Sequence, residues 1–86
     1  MSKEIIEQIA RWAQLDEIYE LVGKYTGYQG SEEITVEIYE RPDGGQYRFS
    51  VHAYVTNDPS RHGHGNPERT IEDALSTYHW NDLSRR

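Results

Sequence analysis

Two runs of strict alternation constrain this chain more than anything else in it. Ile34, Val36 and Ile38 alternate with Thr35, Glu37 and Tyr39, and farther on Tyr47, Phe49, Val51, Ala53 and Val55 alternate with Arg48, Ser50, His52 and Tyr54. A period of two puts every second side chain on one face, so each run predicts a half-buried strand. The link between them, R-P-D-G-G-Q, is a turn with Asp43-Gly44 as its natural two-residue tip. That tip pairs Ile38 with Phe49, Val36 with Val51 and Ile34 with Ala53, so both apolar rows share a face. It also sets Tyr39 opposite Arg48 and Thr35 opposite His52. A four-residue loop over 42–45 gives the same register, whereas an odd loop turns one row outward unless a bulge corrects it. A β-hairpin over 33–56 is therefore the frame of the expected fold.

Flanking segments read as helices. Ser2 is a suitable N-cap for a helix over residues 3–22, stopped by Gly23, so that 1–23 forms the N-terminal element. Its apolar residues change sides: Ile5, Ile6, Ile9, Trp12 and Ala13 centre on one face, and Leu15, Ile18 and Val22 on nearly the opposite one. Either the helix kinks or breaks near Gln14–Asp16, or its two ends bury different faces. In the second case the Ile5/Ile9/Trp12 stripe packs on another chain; otherwise it wraps the chain's own sheet. The C-terminal helix, within 67–83, starts either at Pro67 after Asn66 or at Ile71, where Thr70 and Asp73 make a capping box with a shorter acid. Ile71, Ala74, Leu75 and Tyr78 form its buried stripe. The expected fold is α+β in the order α-β-β-(β)-α: one domain over 1–86, a small antiparallel sheet with two helices packed on one face.

Composition sets the limits. A chain of 86 residues with no cysteine has neither disulfides nor thiolate metal sites to supplement its core, and its seven tyrosines, two tryptophans and one phenylalanine carry that load. The net charge of −6 is uneven: residues 1–43 hold ten acids against four Lys or Arg, and 44–86 hold five against five. This acidity argues against non-specific binding to nucleic acid or anionic lipid. No stretch approaches the ~20 apolar residues that span a bilayer, and the start lacks a signal-peptide layout. A soluble, cytoplasmic protein is the expectation.

The order of elements and the hairpin, from Ile34 to Tyr78, resemble the double-stranded-RNA-binding domain. Glu37-Ile38-Tyr39-Glu40-Arg41-Pro42-Asp43-Gly44 followed by Gln46-Tyr47-Arg48-Phe49-Ser50-Val51 is similar to that family's first hairpin, and Gly63-His64-Gly65 to the approach to its second helix. The resemblance implies an α-β-β-β-α fold and a duplex-RNA partner. The family's phosphate-holding lysine cluster, however, is replaced here by Glu68-Arg69-Thr70-Ile71-Glu72, its turn histidine by Gly44 or Gly45, and its third strand is interrupted by Pro59. Duplex RNA is held largely through phosphate and 2′-hydroxyl contacts, which glutamates oppose. A shorter likeness, through Gly44-Gly45-Gln46-Tyr47 and Thr70-Ile71-Glu72-Asp73-Ala74-Leu75, is to HicB-type antitoxin domains.

The densest chemistry lies in the loop over 57–67, N-D-P-S-R-H-G-H-G-N-P. His62 and His64 share a side of an extended segment, as metal ligands would, with Asp58, Glu68 or His52 as a third ligand. The plainer reading is a solvated loop, and no cofactor is implied. Ser60, His62 and Asp58 have the residue types of a triad without any surrounding nucleophile elbow. His79 beside a buried helix stripe reads as a packing residue before it reads as an acid–base group. On the polar hairpin face, Tyr39, Arg48, His52 and Tyr54, with Arg61, His62 and His64 from the loop, are candidate binding residues, since tyrosine and arginine are favoured at protein contacts. The sequence thus points to a small non-catalytic binding or regulatory domain whose partner is another protein or a second copy through Ile5, Ile9 and Trp12. Nucleic-acid binding through Arg48, Arg61 and Arg69 is the runner-up, followed by metal-dependent activity at His62 and His64.

Overall fold

The computed structural model describes residues 3–15, 17–42 and 45–84. In chain order it has helix α1 (Lys3–Ala13), strands β1 (Glu20–Gln29), β2 (Glu32–Glu40), β3 (Phe49–Val55) and β4 (Asp58–His62), helix α2 (Ile71–Ser76) and a closing 3-10 turn (Trp80–Ser84). The four strands form one antiparallel sheet in the order β1-β2-β3-β4, so the fold is a small α+β fold.

The helix expected over 3–22 is corrected. It ends at Ala13, Gln14 takes a left-handed φ of 57°, and the chain then becomes a strand. The change of apolar face near Gln14 marks a break, one of the two expected alternatives, and the helix ends there; Asp16 lies outside the described residues. Physically, 20–29 holds Val22, Tyr25, Thr26 and Tyr28, types that suit an extended chain, while Gly23 and Gly27 disfavour a helix, and β2 supplies a ladder of partners that an isolated helix lacks. Gly23 is not a helix stop. It sits inside β1 beside a register irregularity between Leu21 and Gly23, where a Cβ would meet the Tyr25 ring at 2.8 Å. β1 and β2 join through Gly30 and Ser31, with Gly30 at φ 65°, the conformation that a two-residue hairpin with glycine first requires.

The central hairpin forms, shifted by two residues. Ile38 faces Val51, Val36 faces Ala53 and Ile34 faces Val55. The reason is the loop: the Arg41 N–H donates to the Arg48 carbonyl at 2.8 Å, so six residues rather than two or four make the connection. Asp43 and Gly44, the expected tip, lie outside the described residues, while Gly45 adopts φ 65°. A shift of two leaves both apolar rows on one face. It changes the polar pairs, however: Tyr39 faces Ser50, Thr35 faces Tyr54, and Glu37 faces His52.

The segment expected as a loop over 57–67 contains β4, an edge strand whose Pro59 needs no ladder partner on its outer side. Beyond it, Glu68 exchanges backbone hydrogen bonds with Phe49 at 2.8 and 3.1 Å, which holds the chain extended and rules out a helix start at Pro67. The start is at Ile71: Thr70 caps, its side-chain oxygen accepting from the Asp73 N–H at 3.0 Å. Nor does the helix reach 83. It stops at Ser76, and the chain turns so that Tyr78 and Leu83 enter the core.

That core is Ile34, Ala53, Val55, Tyr78 and Leu83, with Val36, Val51 and Trp80 packed against it. Helix α2 and the 3-10 turn cover this side of β3 and β4. Along α1, Ile5, Ile9 and Trp12 are 50%, 37% and 80% exposed. No helix of the described residues is long and apolar enough to cross a membrane.

Candidate functional site

The sheet face turned away from α2 carries the side chains that alternate with the core row: Thr35, Glu37 and Tyr39 on β2, Ser50, His52 and Tyr54 on β3, His62 on β4, and Lys24 on β1 opposite Glu37. Glu37 is its electrostatic centre. Tyr39 and Tyr54 both donate their hydroxyls to its carboxylate, at 2.6 and 2.9 Å, and the Lys24 ammonium lies 3.9 Å away. The Tyr39 hydrogen bond holds the Glu37 carboxyl below the usual range against the opposing cost of burial, with help from Tyr54, Lys24 and His52. Reciprocally, the bond to Glu37 pushes the Tyr39 phenol up to about 12 and raises that of Tyr54. Both rings are thereby fixed in orientation.

Beside this clamp four rings form a row. Tyr54 and His52 have centroids 5.1 Å apart, His52 and His62 6.2 Å, and His62 and His64 5.0 Å, all mutually tilted. The row ends at Asp82, whose carboxylate oxygen is 3.0 Å from His64 Nδ1. His62 Nδ1 lies 3.1 Å from the Gly63 carbonyl oxygen.

Of the residues expected to bind, Tyr39, His52, Tyr54 and His62 come together on this face, and His64 joins them past the end of β4, its ring against His62 and its Nδ1 on Asp82 of the closing turn. Arg48 and Arg61 do not join them. Arg48 donates to the Gly45 carbonyl at 3.0 Å and to Glu40 at 3.2 Å, tying down its own hairpin loop. Arg61 points to the core side, grips Glu32 with both terminal nitrogens and reaches the Leu83 carbonyl at 2.9 Å. It therefore links β4, β2 and the closing turn.

The His62/His64 pair does not acquire a third ligand: among the described residues no group of three His, Cys, Asp or Glu is placed to hold a metal ion. The Ser60 hydroxyl donates to Asp58 at 2.7 Å while His62 bonds a carbonyl, so these three residues are not linked nucleophile to base to acid. His79 is exposed, in a shallow cleft of about 440 Å³ lined also by Tyr78, Trp80, Asn81 and Asp82. The loop's glycines have a packing cause. A Cβ on Gly63 would run into the Tyr78 ring, and one on Gly65 would come within 2.7 Å of it.

Sequence reasoning missed Lys24, because the first helix was expected to run to Val22 and stop at Gly23, which left 24–29 without an element, and Glu37 as an anchor, because its bonds are to residues on its own and the neighbouring strand. The Gly30-Ser31 dipeptide between two extended runs was the available signal for the first hairpin. The comparisons with known proteins found no match: no family model, no curated protein and no solved structure matches this chain.

Proposed function

We propose that this protein is a non-catalytic binding module that engages another protein through the open face of its sheet. The observation that carries the reading is the ring row Tyr54–His52–His62–His64 beside the Glu37 clamp, on the side that α2 leaves uncovered. Tyr54, His62 and His64 are oriented by hydrogen bonds and His52 packs between Tyr54 and His62, so the rings lose little conformational entropy on contact and offer large, partly apolar area, the property that makes tyrosine frequent in binding surfaces. Carboxylates stand at both ends of the row, Glu37 and Asp82, and the chain carries a net charge of −6. A partner surface with basic residues flanking an apolar or aromatic patch complements that pattern.

Rings on a sheet face also suit base stacking, which keeps nucleic acid as the second reading. What weighs against it is charge: Lys24 lies beside Glu37, and Arg48 and Arg61 are engaged with Glu40 and Glu32.

The test is selection from a displayed peptide library with the folded protein as bait, alongside anisotropy with labelled single-stranded and duplex RNA in low salt. Basic, aromatic-containing peptides are expected to bind the wild type and to lose binding to His62→Ala and Tyr54→Ala. Peptides indifferent to both substitutions, or RNA binding that depends on them, overturn the reading.

A further inference from the structure

The two edges of the sheet are built differently. β4 is five residues long and contains Pro59, which has no N–H to offer. β1 is ten residues long without proline, no described strand lies outside it, and every residue in it except Glu20 and Gly23 is exposed. Natural edges of this length are usually blunted by a charge, a bulge or a cover. Here the irregularity lies at Leu21/Gly23. The seven residues beyond it, Gly23-Lys24-Tyr25-Thr26-Gly27-Tyr28-Gln29, pair regularly with β2 and carry two largely exposed tyrosines, Tyr25 at 62% and Tyr28 at 75%.

We propose that this segment pairs antiparallel with the same segment of a second copy, about a two-fold axis through Thr26 and normal to the sheet, giving a continuous eight-stranded sheet. The sequence of the edge is complementary to itself in that register. Thr26 meets the partner's Thr26, a favourable cross-strand pair. Tyr25 falls opposite the partner's Gly27, and above Gly27 nothing stands within 4 Å of where a Cβ would be, so an aromatic ring has room there. Lys24, the one charge within these seven residues, falls opposite the partner's Tyr28, whose ring face attracts a cation. No like charges oppose each other. Registers centred one residue to either side lose these pairs: a two-fold at Tyr25 sets Gly23 against Gly27, and one at Gly27 sets Lys24 against Gly30 and Gly27 against itself.

The symmetry has a consequence for the open face. An axis normal to the sheet keeps both ring rows on the same side, so the dimer presents two copies of the proposed contact surface on one face. The pairing itself uses only β1 and stands whether or not that surface binds a protein.

The chain has no cysteine, so a single introduced one reports geometry without interference. Thr26→Cys is expected to form a disulfide-linked dimer on mild oxidation, because facing residues of paired strands lie within the ~4.4–6.8 Å Cα separation a disulfide accepts. Ser60→Cys on the other edge is expected to stay monomeric under the same conditions. By sedimentation equilibrium the wild type should shift toward twice the chain mass with concentration, and Thr26→Lys, which sets two ammonium groups face to face, should lose that shift while its circular dichroism is retained. Should Thr26→Lys fail to fold, the cysteine pair still decides. A wild type that stays monomeric across the dilution series, equal cross-linking of the two cysteine variants, or a dimer that survives Thr26→Lys but is lost in Trp12→Ala each overturns the proposal.

Discussion

The backbone N–H of Ala53, in the middle of β3, donates to the hydroxyl of Tyr78 at 2.9 Å, and the carbonyl of Ala53 accepts from the Gly63 N–H at 3.1 Å. One residue of the central sheet thus receives both the side chain that closes the core and the loop that leads from β4 to α2. Burial raises the Tyr78 phenol's pKa, so the ring stays neutral and keeps its donor and acceptor roles. Removing the hydroxyl in Tyr78→Phe leaves the buried Ala53 N–H without its partner. A loss of about 1–3 kcal/mol in urea unfolding is expected at an unchanged m-value.

Gly63→Ala tests the other half of that arrangement. The added Cβ would collide with the Tyr78 ring and stand 2.9 Å from the His79 carbonyl oxygen, which is backbone and cannot swing aside. A destabilisation of about 1–3 kcal/mol from overpacking is expected, with the Tyr78 ring resonances displaced in NMR spectra.

The two exposed glycines of the first hairpin should respond in opposite senses. Gly30 sits at φ 65°, so Gly30→Ala is expected to cost about 1–2 kcal/mol through backbone strain alone. Gly27 has no positive φ and open space above it, so Gly27→Ala is expected to leave the dilute monomer unchanged or to stabilise it by about 0.4–1 kcal/mol. Chemical denaturation of both variants at low concentration makes the comparison.

Glu37 and Tyr39 make opposite contributions to pH dependence. The folded state depresses the Glu37 carboxyl, so its stabilisation is present above the ordinary carboxyl range and is lost as pH falls through the depressed value. Tyr39 is raised from an ordinary 10.0 to about 12, so its stabilisation is present below 10 and is lost as pH climbs from there toward 12. Tyr39→Phe should reduce the alkaline loss, Tyr54 and Tyr78 keeping their raised phenols, and move the Glu37 titration, followed by carboxyl carbon shifts, back toward the ordinary range. An unmoved Glu37 titration would show that Tyr39 is not its main support.

Arg61 and Glu32 act as one unit across β3. Glu32→Gln and Arg61→Ala should each lower the thermal midpoint, and the double variant should lie close to the lower of the two rather than at their sum.

What the sequence determined by itself is local and periodic. Alternation over Ile34–Ile38 and Phe49–Val55 requires two strands with their apolar rows on one face, because any even connection preserves the match. Thr70 and Asp73 made Ile71 one of two readable starts for α2, because a cap satisfies N–H groups within one turn, and the Glu68–Phe49 backbone bonds removed the other at Pro67. Tyr39, His52 and Tyr54 were readable as one surface for the same reason of period.

Everything that depended on a distant partner was decided only in the tertiary structure. Residues 20–22 fell at the end of the expected helix and 24–29 in no element, and only the ladder with β2 makes them one strand. The hairpin register moved by two because Arg41 bonds Arg48 across a longer loop, a closure no periodicity encodes. Arg61, a plausible surface contact by type, was taken into the structure by Glu32, 29 residues away. The ring row and the Glu37 clamp exist because four strands bring four separated segments side by side. Short-range order follows from side-chain period and capping, whereas register and site geometry are set by the summed contacts of residues far apart in the chain.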